Sequence, residues 1–218
     1  MTRNLKALGL ALVAALAMSA VAASGASATP FHFGSDHSDH VILAGTQHAG
    51  EDVFTTDAGT VRCNTATYSG TINEADTATN EVSVTPAYSN CKAFGFINVP
   101  IHVNGCQYKF TAITKEGSNY EGKVDIVCPG NPISITAPGC EVTVGSQNAL
   151  GSITYTNVGS GTTREVTVDV NISGIHYYQH DTGITCTTGT KTNGLYVGSG
   201  LVTGRNAAGT HVGLFVTP

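Results

Sequence analysis

Six cysteines, at positions 63, 91, 106, 128, 140 and 186, lie downstream of an N-terminal segment with the features of an export signal. An even set of cysteines in an exported chain reads as three structural disulfides, so the fold must bring six fixed positions together in pairs. No catalytic or ligand motif of comparable specificity accompanies them. The spacing argues against a metal role, because zinc sites favour close pairs such as CxxC, whereas the nearest two cysteines here are Cys128 and Cys140. The missing CxxC also argues against a redox enzyme.

The export signal is read from residues 1–28. Arg3 and Lys6 precede an apolar run from Ala7 to Ala23, and Ala26-Ser27-Ala28 supplies the small residues of a cleavage site. The run is mostly alanine and shorter than the ~20 residues a spanning helix needs. No cysteine stands at the cleavage point to accept a lipid. The expected mature chain begins at Thr29, is secreted or held at the cell surface, and has no integral membrane association after cleavage. Removing residues 1–28 removes two of the ten basic residues and no acidic one, so eight basic residues face fifteen acidic ones, a formal charge of −7. That balance disfavours nucleic acid and anionic membranes as partners, since both call for a basic face.

Alternation with a period of two recurs along the chain, while helical spacing is scarce. Val166, Val168, Val170 and Ile172 alternate with Glu165, Thr167, Asp169 and Asn171. Similar runs are Glu81 to Val84, Cys140 to Val144, Ile153 to Thr156 and His211 to Val216. Between them stand turn-forming clusters such as Pro129-Gly130-Asn131-Pro132 and Gly159-Ser160-Gly161. The expected fold is all-β: an antiparallel sandwich or barrel-like fold of many short strands, stabilised by disulfides. It spans residues 41–218 as one unit or two packed halves, behind a flexible leader at 29–40 that carries His and Asp.

One hairpin can be read in register. With Cys106 opposite Cys128, Tyr108 faces Ile126 and Phe110 faces Val124, leaving residues 115–119 as the loop. Opposed residues in a non-hydrogen-bonded antiparallel pair have Cα atoms ~4.5 Å apart, at the near end of disulfide geometry. Sequential pairing extends to Cys63 with Cys91 and Cys140 with Cys186; the rival is Cys128 with Cys140.

The candidate chemistry is sparse. His32, His37 and His40, with Asp36 and Asp39, form a compact set of metal-ligand types, but in a leader that reads as solvated. His176 and His180 would share one face of a strand at ~13 Å, too far for one ion. They read as part of a polar edge, with His102 and His211 as distant partners at best. As paired carboxylates for glycoside hydrolysis, Glu51, Asp52 and Asp57 are indistinguishable from surface charge. No Gly-x-Ser-x-Gly elbow is present, and no cofactor is implied. A Tyr-x-Gly element recurs at Tyr68, Tyr120 and Tyr196 without a fixed period. The threonine-rich stretch 185–192 reads as a loop leading to a turn at Asn193-Gly194. An outer-membrane barrel is disfavoured because most alternating runs are four to eight residues, shorter than the ~9 to 11 such strands need.

Three functional readings follow. A non-catalytic surface, adhesion or ligand-binding module comes first. A secreted hydrolase with a site assembled from scattered Asp, Glu and His comes second. A carrier holding a small apolar ligand inside a barrel comes third. A cleft of converging acids and bases favours the hydrolase, and an internal apolar cavity favours the carrier.

Overall fold

In an extended backbone, alternating apolar and polar residues place one set of side chains on each face of a sheet. The computed structural model describes residues 31–37, 40–73, 78–183 and 186–218. The expected signal peptide, residues 1–28, lies outside them. In chain order the strands are β1 (His32–Ser35), β2 (Val41–Gln47), β3 (Asp52–Thr56), β4 (Gly59–Ile72), β5 (Ala78–Thr79), β6 (Glu81–Ala93), β7 (Ile97–Asn98), β8 (Ile101–His102) and β9 (Gln107–Glu116). They continue as β10 (Asn119–Val127), β11 (Ile133–Ala137), β12 (Cys140–Val144), β13 (Gln147–Val158), β14 (Glu165–Asp181), β15 (Gly189–Arg205), β16 (His211–Val212) and β17 (Leu214–Thr217).

β2 and β3 act as one stave. β2 pairs with residues 200–205 of β15 and 67–72 of β4, while β3 pairs further along the same two strands. From this stave the order runs β4-β6-β9-β10-β13-β14-β15, and β15 returns to β2. The sheet therefore closes as an eight-stave antiparallel barrel whose staves follow one another in chain order, an up-and-down topology. Inward positions are apolar, as at Leu43, Val82, Val124, Ile153 and Ile172. Outward positions such as Arg62, Asn64, Glu81, Ser83, Lys123 and Asn171 are exposed and polar. A barrel in a lipid bilayer has the reverse arrangement, apolar outside and polar within. Among the described residues, no helix is long and apolar enough to cross a membrane.

The staves exceed the four to eight residues expected, reaching 17 in β14 and β15, because bulges reset the alternation inside single strands. In β14 the reset is at Gly174, whose φ of 77° favours glycine. Inward Val168, Val170 and Ile172 precede it, and inward Ile175 and Tyr177 follow. The partner strand absorbs the shift at Asn193-Gly194, so that dipeptide lies within β15 rather than in the expected turn. The expected threonine-rich loop likewise becomes strand from Gly189 onward.

Two further layers cover the ends of the barrel. At one end β17, β1 and β5 form a three-stranded sheet. The stretch expected as a flexible leader thus supplies a strand, because Phe33 buries its ring edge-on against Tyr155, with centroids 5.2 Å apart. The run expected as one strand from His211 to Val216 divides at Gly213 into β16 and β17. At the other end the β11–β12 hairpin docks on β14 in the register Cys140 opposite Asp181 to Thr143 opposite Tyr178. This hairpin encloses the C-terminal half of β14 between β12 and β15, so the segment expected as a polar edge is an internal stave. His176 and His180 point out, while Tyr177 and Gln179 are buried.

The disulfides join Cys63 to Cys91, Cys106 to Cys128 and Cys140 to Cys186. The first links directly opposed residues of β4 and β6. In the β9–β10 hairpin Tyr108 faces Ile126 and Phe110 faces Val124, and the strands run on to a two-residue turn at Gly117-Ser118, closer than the loop expected.

Candidate functional site: a buried carboxylate in a tyrosine arc

Asp52 opens β3 where the chain resumes pairing after the break that follows Gln47. Its position opposite Cys63 turns the side chain inward, leaving the residue 2% exposed. The sequence leaves Asp52 indistinguishable from surface charge, and the structure buries it. Its neighbours do lie at the surface, Glu51 beside Arg62 at 3.3 Å and Asp57 beside Lys191 at 3.4 Å. Room for the buried carboxylate comes from Gly198 on β15, where a Cβ would collide with Asp52 Oδ1.

Tyr196 Oη donates to Asp52 Oδ1 at 2.6 Å and Tyr68 Oη donates to the same oxygen at 3.3 Å. The Tyr196 hydroxyl lies 3.3 Å from that of Tyr88, which lies 2.9 Å from that of Tyr108. The five groups stand on β15, β3, β4, β6 and β9, five consecutive staves, so they form a continuous polar arc around one side of the interior. The opposite side, from β10, β13 and β14, is apolar, with Val124, Ile126, Val168 and Val170.

Burial pushes the Asp52 carboxyl above the usual carboxylate range, and the Tyr196 and Tyr68 hydroxyls partly offset the rise. Burial also raises the tyrosines, Tyr108 to about 12 and Tyr88 and Tyr196 well above the ordinary value. The hydroxyls therefore keep their protons, and a chain of donors can run from Tyr108 through Tyr88 and Tyr196 to Asp52. Asp52 Oδ2 is buried and has no hydrogen-bond partner. Among the described residues, no Lys, Arg or His forms an ion pair with this carboxylate.

Between the two arcs lies a cavity of about 150 Å³. Phe33 and Leu214 of the three-stranded sheet line one end, and Ile133 and Ile135 of the hairpin line the other. Asp52 is the one ionisable carboxylate among the described residues lining it; no His, Lys or Arg joins it there.

The other expected site residues do not converge. His32 is in β1 with a buried, unpartnered Nδ1, and His40 is exposed. The His37 backbone N–H donates to Ser35 Oγ at 3.2 Å. Asp39 lies outside the described residues. Among those described, no three His, Cys, Asp or Glu side chains gather as a metal would require. His211 pairs with Glu165 at 3.5 Å, and His102 lies on β8, exposed.

The sequence did carry one trace of the arc. In each Tyr-x-Gly element the tyrosine and the glycine share a strand face two residues apart. Tyr68 and Tyr196 both enter the arc from such elements, and in the third Gly122 lies against the ring of Tyr155. Gly122 and Gly198 each leave room beside a tyrosine, while Gly70 lies against Ser83 and Val84. No protein-family model matches the chain, and no curated protein sequence or solved structure is significantly similar to it.

Proposed function

We propose that the protein is an exported carrier that encloses one small, mainly apolar molecule within its barrel. The observation that carries this reading is the cavity of about 150 Å³ inside the barrel, lined mainly by apolar side chains. A void left in a core costs roughly 24 cal/mol per Å³, so about 3 to 4 kcal/mol here. Selection for stability alone would fill it with larger side chains. A cavity of that size has room for a benzene-sized guest, smaller than the drug-sized molecules that occupy pockets of ~300 Å³ and above. The export signal read at residues 1–28 and the three disulfides support an oxidising, extracellular setting.

The carrier reading is favoured over a hydrolase because, among the described residues lining the cavity, Asp52 is the single carboxylate and no His, Lys or Arg stands with it. It is favoured over an adhesion module because, among the described residues, all aromatic side chains but Phe94, Phe96 and Tyr178 are buried or half-buried. Titration with toluene, followed by NMR and by thermal unfolding, tests it. The methyl resonances of Val124, Val168 and Val170 are expected to shift, and Tm to rise as folding stability gains about 2.7 kcal/mol at free ligand about one hundred times Kd. Val168→Phe, which fills the cavity, is expected to abolish both effects while the variant still unfolds cooperatively. Inward methyls that ignore every benzene-sized apolar probe would exclude the carrier reading.

A further inference from the structure

Resting on the carrier reading, we propose that the enclosed ligand is a small organic amine, bound as an ammonium ion by Asp52 with its hydrocarbon part against the apolar arc. The carboxylate has one oxygen committed and one free: Oδ1 accepts from Tyr196 and Tyr68, whereas Oδ2 is buried without a partner. A buried carboxylate oxygen needs a donor, and here the protein supplies none. The tyrosine hydroxyls are used up among themselves and at Oδ1, so their donor chain supports a negative charge at Asp52 without balancing it.

Charge balance then selects the kind of donor. A neutral hydroxyl from a ligand would fill the hydrogen-bond vacancy but leave the buried charge uncompensated. An ammonium group does both. The surroundings suit it, because tyrosines line the same cavity and aromatic rings attract organic cations. Three of the protein's cations are spent elsewhere: Arg62 pairs with Glu51, Lys191 with Asp57, and Lys109 with Glu81 and Asp125. Gly198 preserves the space in which the carboxylate stands. The volume sets the hydrocarbon part at about one six-membered ring.

Isothermal titration of the full chain at pH 7 with benzylamine, benzyl alcohol and toluene decides the matter. Benzylamine is expected to bind at least tenfold more tightly than either neutral probe, and the benzylamine-to-toluene ratio to fall to about one in Asp52→Asn. Its affinity is also expected to weaken as pH falls and Asp52 takes up a proton. The titratable groups facing Asp52 are Tyr68, Tyr88, Tyr108 and Tyr196, which stay protonated through that range. Tyr196→Phe keeps the ring but removes the shortest bond to Oδ1, so the pH at which amine binding is lost is expected to move upward. It serves if the Asp52 variant does not fold. Toluene binding as tightly as benzylamine, or an acid midpoint unmoved in Tyr196→Phe, overturns the amine assignment and leaves the carrier reading intact. Failure of all three probes to bind overturns both.

Discussion

Burial lifts the Asp52 carboxyl above its ordinary range, and the hydroxyls of Tyr196 and Tyr68 lower it without cancelling the rise. A carboxyl raised in the folded state binds its proton more tightly there than in the unfolded chain. The associated stability is present below the unfolded value of about 3.9 and is lost as pH rises through the folded one. At neutral pH the charged form is therefore a burden on the empty protein. Asp52→Asn, close to isosteric, removes that burden. Its Tm is expected to exceed that of the parent at pH 7, with the gain shrinking toward zero as pH is lowered below about 4. Thermal unfolding across that range checks it, and a gain independent of pH would refute the linkage. A group kept at such a cost fits a binding role better than a structural one. Asp52 was not legible in the sequence for a simple reason. The run Asp52-Val53-Phe54 gives no clear phase, because Val53 and Phe54 are both apolar, and only pairing with Cys63 and proximity to Gly198 turn the carboxylate inward.

At the scale of elements, local alternation was readable and its interruptions were not. The β9–β10 hairpin follows directly from placing Cys106 opposite Cys128 with apolar residues in phase. Long staves escaped notice because resets at Gly174 and at Asn90, with φ of 54°, reverse which residues face inward midway along a strand. The small sheet at the barrel end escaped notice as well, since β1 is four residues long and its partner β17 is nearly the whole chain away. That sheet is tied to the barrel by hydrogen bonds. Asn157 acts as a piece of ladder, its Nδ2–H donating to the Val216 carbonyl at 2.9 Å and its Oδ1 accepting from the Val216 N–H at 2.8 Å. The Gly213 N–H donates to Asp36 Oδ1 at 2.7 Å, and the Leu214 N–H donates to the Arg164 carbonyl at 2.9 Å. Asn157→Ala leaves a backbone N–H and C=O of Val216 unpaired, at a cost of about 1 to 3 kcal/mol each if they stay buried. Amide exchange in β17 is expected to speed up at least tenfold in this variant while amides in β4 and β6 stay protected. Equal acceleration everywhere would mean that the small sheet opens only with the whole barrel.

For the whole molecule, closure rests on β15, which pairs with β14 on one side and with β2 and β3 on the other. All-β architecture was evident from composition and alternation; the choice of barrel over sandwich was not, because it depends on that last pairing between the two ends of the chain, which no local pattern encodes. The disulfides distribute unevenly over the closed structure. Cys63–Cys91 and Cys106–Cys128 each join strands that are already paired or adjacent, whereas Cys140–Cys186 ties the covering hairpin to the chain beyond β14 across 46 positions. In the chain-entropy model a loop of that length contributes about 4 kcal/mol, and one of 22 to 28 positions slightly less. One end of the cavity is thus covered by a covalently fastened hairpin and the other by a sheet held through hydrogen bonds. Local opening requires less free energy where no covalent link has to be kept, so on the carrier reading ligand exchange is expected at the three-stranded sheet. Two variants separate the ends. Replacing Cys140 and Cys186 together by serine is expected to lower stability by about 2 to 4 kcal/mol while leaving the toluene dissociation rate within about twofold of the parent. Asn157→Ala is expected to cost less stability yet raise that rate severalfold, because it loosens the cover through which the ligand leaves. Exchange spectroscopy on the bound and free methyl signals measures both rates, and faster release in the serine variant than in Asn157→Ala would move the exit to the hairpin end.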